Sequence, residues 1–313
     1  MSNKSKYPIY ISLFFVMVIW GFNVIATKLL VTSFMPVTMT ALRIFTAGVG
    51  VFIILFYLKL IRKPSKKEFL YILICSLFNV VGHHYFLSVG LKGTSASNGG
   101  LILGMGPILT TILAIFFLKN KVTLLRFCGV IFGFIGISFI VFQSGEGLQF
   151  MSLGDIHVFL SIFLQTISFI MIKKVSSTLD PRLMTGYMLI IGSVFLFIIS
   201  LIVEPNGIQS MAMASGSYTV WIIFFASAFL ATSVGHMTYN YAIGKVGAAE
   251  SAIFINLNPF FALVGAALFL DEMITFTQVI GFIFIIFGVV LGAGGLEDLL
   301  RHQKSKREMI ISK

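Results

Sequence analysis

The sequence predicts an all-α integral membrane protein, with ten transmembrane helices arranged as two inverted five-helix repeats. Three observations carry this prediction. The chain of 313 residues is 58% hydrophobic and only 11% charged, its apolar residues fall in blocks of roughly bilayer-spanning length, and its two halves resemble each other. Soluble domains are nearer half apolar and a quarter charged. A mean hydropathy of +1.02, with 34 Phe, 29 Gly and only 7 Pro, suits helices solvated by lipid.

In chain order, the candidate segments are 9–29, 36–58, 69–91, 95–118, 124–143, 154–174, 184–203, 218–242, 248–270 and 275–295. The first follows the short basic stretch Met1 to Tyr7; it is too long for a signal-peptide core and lacks a small-residue cleavage site, so it reads as an uncleaved helix. Polar sequence is confined to 59–68, 143–155, 204–217 and the tail after Leu296, which leaves no room for a soluble domain. Blocks such as Leu101 to Leu118 are apolar all round, unlike the alternating strands of a barrel. The chain therefore divides into a first repeat over 9–143, a second over 154–295, and a basic cytoplasmic tail over 296–313.

The net charge of +11 points to topology rather than to nucleic acid, because the basic residues sit in short clusters between apolar blocks. With a cytoplasmic N-terminus, 19 of the 22 Lys and Arg fall inside, leaving Lys28, Lys92 and Arg43. Both termini are thus expected on the cytoplasmic side of the cell membrane. Cys75 and Cys128 lie in apolar runs without metal-ligand spacing, and read as small buried hydrophobes.

The repeat is the most informative feature. At an offset of 152, residues 84–136 fall on 236–288 without a gap, matching His84 with His236, Pro107 with Pro259, Gly129 with Gly281 and Gly136 with Gly288. At an offset of 145, Lys28 meets Lys173 and Pro36 meets Pro181. Five helices per repeat is an odd number, so the second copy enters the membrane from the opposite side. Inverted repeats of this kind are a hallmark of secondary transporters, in which exchange of the two conformations gives alternating access to one midplane site.

Trp20-Gly21-Phe22-Asn23 with Lys28, the stretch Ala242 to Pro259, the Leu270-Asp271-Glu272 junction and the Gly281/Gly288 spacing resemble the EamA type of the drug/metabolite transporter superfamily. The resemblance covers nearly the whole chain. It implies ten helices, two repeats, and export or exchange of small metabolites, amino acids among them. Two positions depart from a symmetric pattern. Lys119-Asn120 stands where the second repeat has Asp271-Glu272, and Gln165 stands where the first helix has Trp20.

Polar groups within lipid need a partner or a water-filled space, and here they cluster on few segments. The candidate substrate-binding residues are Trp20, Asn23, Asn79, His84, Ser88, Gln165, His236, Asn240 and Asn256. His84 with Ser88, and their repeat mates His236 with Asn240, each share one helical face. Either histidine could couple transport to protons, or could instead hold the repeats together through a backbone carbonyl. His83, Tyr85, Tyr239, Tyr241 and Asn258 are further polar candidates. Gly104, Gly106, Pro107 and Pro259 mark kinks or close helix packing. Arg43 is the lone charge well inside a segment, a potential partner for a substrate carboxylate or a snorkelling side chain. Glu250 suits the positive end of a helix, as do Asp271 and Glu272.

No phosphate loop, HExxH motif or Ser/His/Asp set is present, which argues against an ATP-driven pump and an enzyme. No cofactor or metal is expected. The sequence reads as an exporter of small amphipathic metabolites, with a non-coupled facilitator as the alternative and a membrane-embedded enzyme behind it. Its expected partners are a small-molecule substrate and the lipid bilayer, not nucleic acid; protons and a homodimer are left open.

Overall fold

A computed structural model of the chain describes residues 6–94, 99, 102–119, 123–142, 152–213, 218–269 and 273–292, and is helical without strands among them. The basic tail expected over 296–313 and the acidic junction at Asp271 and Glu272 lie outside the described residues.

The first half contains α1 (Tyr7–Ser33), α2 (Pro36–Tyr57), α3 (66–92), α4 (Gly106–Leu118) and α5 (Leu124–Phe142). The second contains α6 (Leu153–Val175), α7 (Pro181–Val203), the short α8 (Gly207–Met213), α9 (Tyr218–Val246), α10 (Ala248–Phe269) and α11 (Phe276–Gly292). Seven helices are long and apolar enough to cross a membrane, and Ile102–Leu118, Leu124–Ile140 and Phe276–Gly292 are shorter apolar helices. At 1.5 Å per residue, the shorter ones reach about 25 Å, slightly under a hydrocarbon core of about 30 Å.

Helix ends follow local chemistry. Ser65 with Glu68 and Ser152 with Asp155 form capping boxes at the starts of α3 and α6, satisfying backbone donors that a new helix leaves orphaned. Pro36 and Pro181 begin α2 and α7, where a missing N–H costs nothing. The Asp180 side chain caps α7 and is bound by Arg182 through Nε at 3.0 Å and Nη2 at 2.7 Å. Partial burial pushes this carboxyl up, but the hydrogen bonds and charge of Arg182 outweigh it and hold it below the ordinary carboxylate range. Glu204, beyond the end of α7, accepts from the backbone N–H groups of Val37 and Thr38 at 3.0 and 2.8 Å. It thereby ties α7 to the positive end of α2.

Two interruptions were not expected from the sequence. Ser76–Gly82 in α3 and Ser227–Gly235 in α9 are π-helical. Each ends immediately before a histidine, His83 and His236 respectively. In α10, the 3-10 turn Phe254–Leu257 precedes Asn258 and Pro259.

The helices pack in pairs: α1 with α10, α2 with α7, α3 with α6 and α5 with α11. Fully buried Ile44, Ala47, Val51 and Leu55 of α2 meet Met188, Leu189 and Leu196 of α7 in the main core. Phe15, Phe56, Phe116, Ile202, Phe269 and Phe287 point outward, an apolar surface that suits lipid rather than water.

The α5–α11 seam sets backbone against backbone at its glycines, with Phe284 stacked on Phe132 and Phe139. A Cβ on Gly136 would lie 2.5 Å from the Gly281 carbonyl oxygen, and one on Gly281 would lie 2.6 Å from that of Gly136. Gly129 and Gly288 face each other in the same reciprocal way. Only hydrogen fits at these positions, the small-residue device by which membrane helices approach closely.

Candidate functional site

The π turn of α9 organises the first part of the site. A π turn shifts the backbone register, so carbonyl and side-chain groups near it need partners from outside the ordinary helical ladder. The Trp20 indole Nε1 donates to the Ala231 carbonyl at 2.8 Å. Thr232 Oγ1 donates to the Ser227 carbonyl at 3.2 Å. Arg43 of α2 is buried, and its Nη1 donates to Ser227 Oγ at 3.1 Å and to Thr232 Oγ1 at 2.8 Å. Ser227 Oγ in turn donates to Asn23 Oδ1 at 2.5 Å. Helices α1, α2 and α9 therefore meet through one polar chain running Asn23, Ser227, Arg43, Thr232.

An aromatic wall adjoins this chain. The Trp20 ring lies 5.0 Å from the His236 ring and 5.1 Å from that of Tyr239, which in turn lies 5.2 Å from Phe169 of α6. His236 Nδ1 and the Tyr239 hydroxyl are buried without a hydrogen-bond partner, as is Arg43 Nε. Buried polar atoms normally find partners, so three orphans on adjoining residues mark this spot out.

The second part lies between α3 and α6. Asn79 Nδ2 donates to Ser168 Oγ at 2.7 Å. Ser161 Oγ lies 2.8 Å from His83 Nδ1 and 2.9 Å from the His83 carbonyl, while Gln165 Nε2 lies 3.1 Å from His83 Nε2. His83 is thus clamped on both ring nitrogens. His84 is half-buried, its ring edge-on to that of His83 at 4.9 Å. The His83–Lys92 part of α3, which carries His84, also packs against α2, which carries Arg43.

Of the residues singled out in the sequence, Trp20, Asn23, His84, His236 and Arg43 come together here, and Asn79 and Gln165 lie on the adjoining α3–α6 contact. The polar faces pairing His84 with Ser88 and His236 with Asn240 are not free along their length. The Ser88 hydroxyl donates to the Tyr85 carbonyl of its own helix at 2.9 Å, and buried Asn240 donates to Thr185 Oγ1 of α7 at 2.9 Å. Asn256 is buried with both amide atoms unpartnered, against Gly133 of α5, where a Cβ would come 2.0 Å from its Nδ2. Gly104 abuts Ile137. The carbonyls of Gly106 and Pro107 are taken by Thr110 and Thr111, both at 2.8 Å. Pro259 stands one residue into the last section of α10. Glu250 is more than a helix-end charge, since it binds the Tyr10 hydroxyl and pairs with Lys6 at 3.6 Å and Arg126 at 3.5 Å.

Ser227 and Thr232 were missed by sequence reasoning. A hydroxyl in an apolar helix ordinarily bonds its own preceding turn, and nothing in the sequence marks the π turn that aims these two at Arg43.

The whole chain carries the pattern of a known class of membrane transporter. A model of the EamA-like transporter family matches residues 8–142 and again 152–293, and the chain belongs to that family. It is 28% identical over 290 residues to the uncharacterized transporter YyaM of Bacillus subtilis, covering 91% of this chain and 93% of that protein. It is 24% identical to the uncharacterized transporter YoaV of the same organism, covering 88% and 93%. A solved structure titled only as a protein crystal structure superposes with a TM-score of 0.75 at 12% identity, over 93% of this chain and 97% of the other. The protein is therefore a multi-pass membrane protein of a transporter family, which points to a non-enzymatic role.

Proposed function

We propose that the chain is a secondary transporter that exports small amphipathic metabolites, such as amino acids or related compounds, across the cell membrane. In this reading ten helices form two inverted five-helix repeats, 9–143 and 154–295, with both termini cytoplasmic. The repeats exchange conformations around a shared site lined by Trp20, Asn23, His84 and His236. The basic tail rests on the anionic inner leaflet.

The observation that carries the proposal is the convergence of buried, incompletely satisfied polar groups from both halves of the chain at one place. Arg43 comes from the first half, and His236 and Tyr239 from the second. Such groups are costly inside a membrane unless they serve a solute or ion path. Inversion is supported by the two π turns, which fall at corresponding places under the 152-residue offset, and by the reciprocal contacts of the glycine pairs that the same offset relates.

Purified protein in liposomes loaded with one unlabelled amino acid should accelerate uptake of the same labelled amino acid, with saturation. Saturable uptake without acceleration by the loaded solute would favour a facilitator. If no solute in a broad panel of amino acids and related amphiphiles moves, the transport reading fails.

A further inference from the structure

Arg43 stands seven residues into α2, about 10 Å along the helix from Pro36. It is 5% exposed. A guanidinium there is held by a carboxylate in most proteins, because an unpaired buried charge is strongly destabilising. Every carboxylate among the described residues is engaged elsewhere. Glu68 holds Arg62, Asp180 holds Arg182, Glu204 binds the start of α2, Glu250 binds Lys6 and Arg126, and Asp155 caps α6. What Arg43 has instead is two neutral hydroxyls on a single nitrogen, with Nε unpartnered. The fold therefore keeps a cation in its interior with hydrogen-bonding capacity unspent and no counterion among the described groups.

Resting on the transport reading above, we propose that Arg43 is the recognition site for a substrate carboxylate. A planar guanidinium matches a carboxylate through two parallel N–H bonds. Ser227 and Thr232, already on Nη1, hold the guanidinium in place and leave its other N–H groups for the anion. Trp20, next to His236 and Tyr239, takes the apolar part of the substrate against its ring. The substrate class is thus an organic monocarboxylate with an apolar or aromatic side chain, an amino acid included. A solute with a neutral or cationic head in place of the carboxylate is rejected, because it leaves the buried guanidinium unpaired.

Three probe series test this, built on benzyl, isobutyl and methyl side chains. Each comprises the amino acid, its carboxamide, and the corresponding carboxylic acid without the amine. Binding is read from the melting temperature of the purified protein and transport from counterflow in liposomes. In at least one series both carboxylates should bind and the carboxamide should not. Arg43→Gln should weaken carboxylate binding about thirtyfold or more, as removal of one partner of a buried charge pair does. Arg43→Lys, which keeps the charge, should retain part of the affinity and shows that the site still folds. If carboxamides bind as well as acids, or Arg43→Gln binds acids like the wild type, this inference is overturned while transport stands. Should no member of any series bind or move while another solute of the broad panel does, this inference is overturned and transport stands; should nothing in that panel move, both readings fall.

Discussion

His83 and His236 occupy similar positions, each just after a π turn, yet their surroundings assign them different work. His83 has both ring nitrogens occupied by Ser161 and Gln165, so its removal takes the ring partner from Gln165, while Ser161 keeps the backbone carbonyl of residue 83. His83→Ala should lower stability by about 1–3 kcal/mol, the cost of leaving buried groups unpaired, measured as a fall in melting temperature in detergent. His236 has a ring nitrogen with no partner and sits against Trp20. His236→Ala should leave melting and membrane insertion nearly unchanged while lowering counterflow; unchanged counterflow would assign the residue to packing. This division was only partly legible in the sequence. Histidines, asparagines and an arginine inside apolar blocks stand out by chemistry alone, and several of them do meet. That His83 is clamped depends on Ser161, and how Arg43 is held depends on Ser227 and Thr232, small hydroxyls that are common in membrane helices and carry no signal until their neighbours are known.

At the scale of the helix, apolar block length and basic boundaries placed most helices to within a few residues, the exception being 95–118, where the described apolar helix runs Ile102–Leu118. The first segment was read as 9–29 and the helix runs Tyr7–Ser33, because Pro8 is welcome at its start and no breaker precedes Ser33. The π turns were invisible, since apolar patterning hardly changes when a helix faces lipid on one side and a core on the other. The glycines were legible as packing residues but not as a matched pair of surfaces. Gly136→Val should place methyl groups inside the Gly281 backbone and force α5 from α11, with a loss of about 1–3 kcal/mol or more. The control Ile135→Val, at a residue 36% exposed on the same helix, should leave the melting temperature unchanged. Equal effects from the two substitutions would show that the seam tolerates separation.

For the molecule as a whole, every long described helix exposes large apolar side chains, while charge pairs such as Arg62 with Glu68 and Arg182 with Asp180 stand at helix boundaries. The membrane class followed from composition and the family from a few motifs, because both are summed over hundreds of residues and survive local error. Orientation rests on the distribution of Lys and Arg, and it yields its own prediction. Single cysteines placed at Ser5 and Ser312, in a variant lacking Cys75 and Cys128, should be labelled by a membrane-impermeant thiol reagent only after cells are opened. Labelling of either terminus in intact cells would reverse the proposed topology.

The glycine seam between α5 and α11 has a consequence for where solute can travel. At the glycines, two peptide backbones in direct contact leave no volume that a side-chain rotation could vacate, and Phe284 fills the space beside them against Phe132 and Phe139. A passage there would require whole helices to part and surrender the dispersion contacts along their length. The seam is a wall rather than a door, impermeable in every conformation that keeps α5 and α11 together. At the glycine contacts, mutation can open it only by adding atoms, since there are none left to remove.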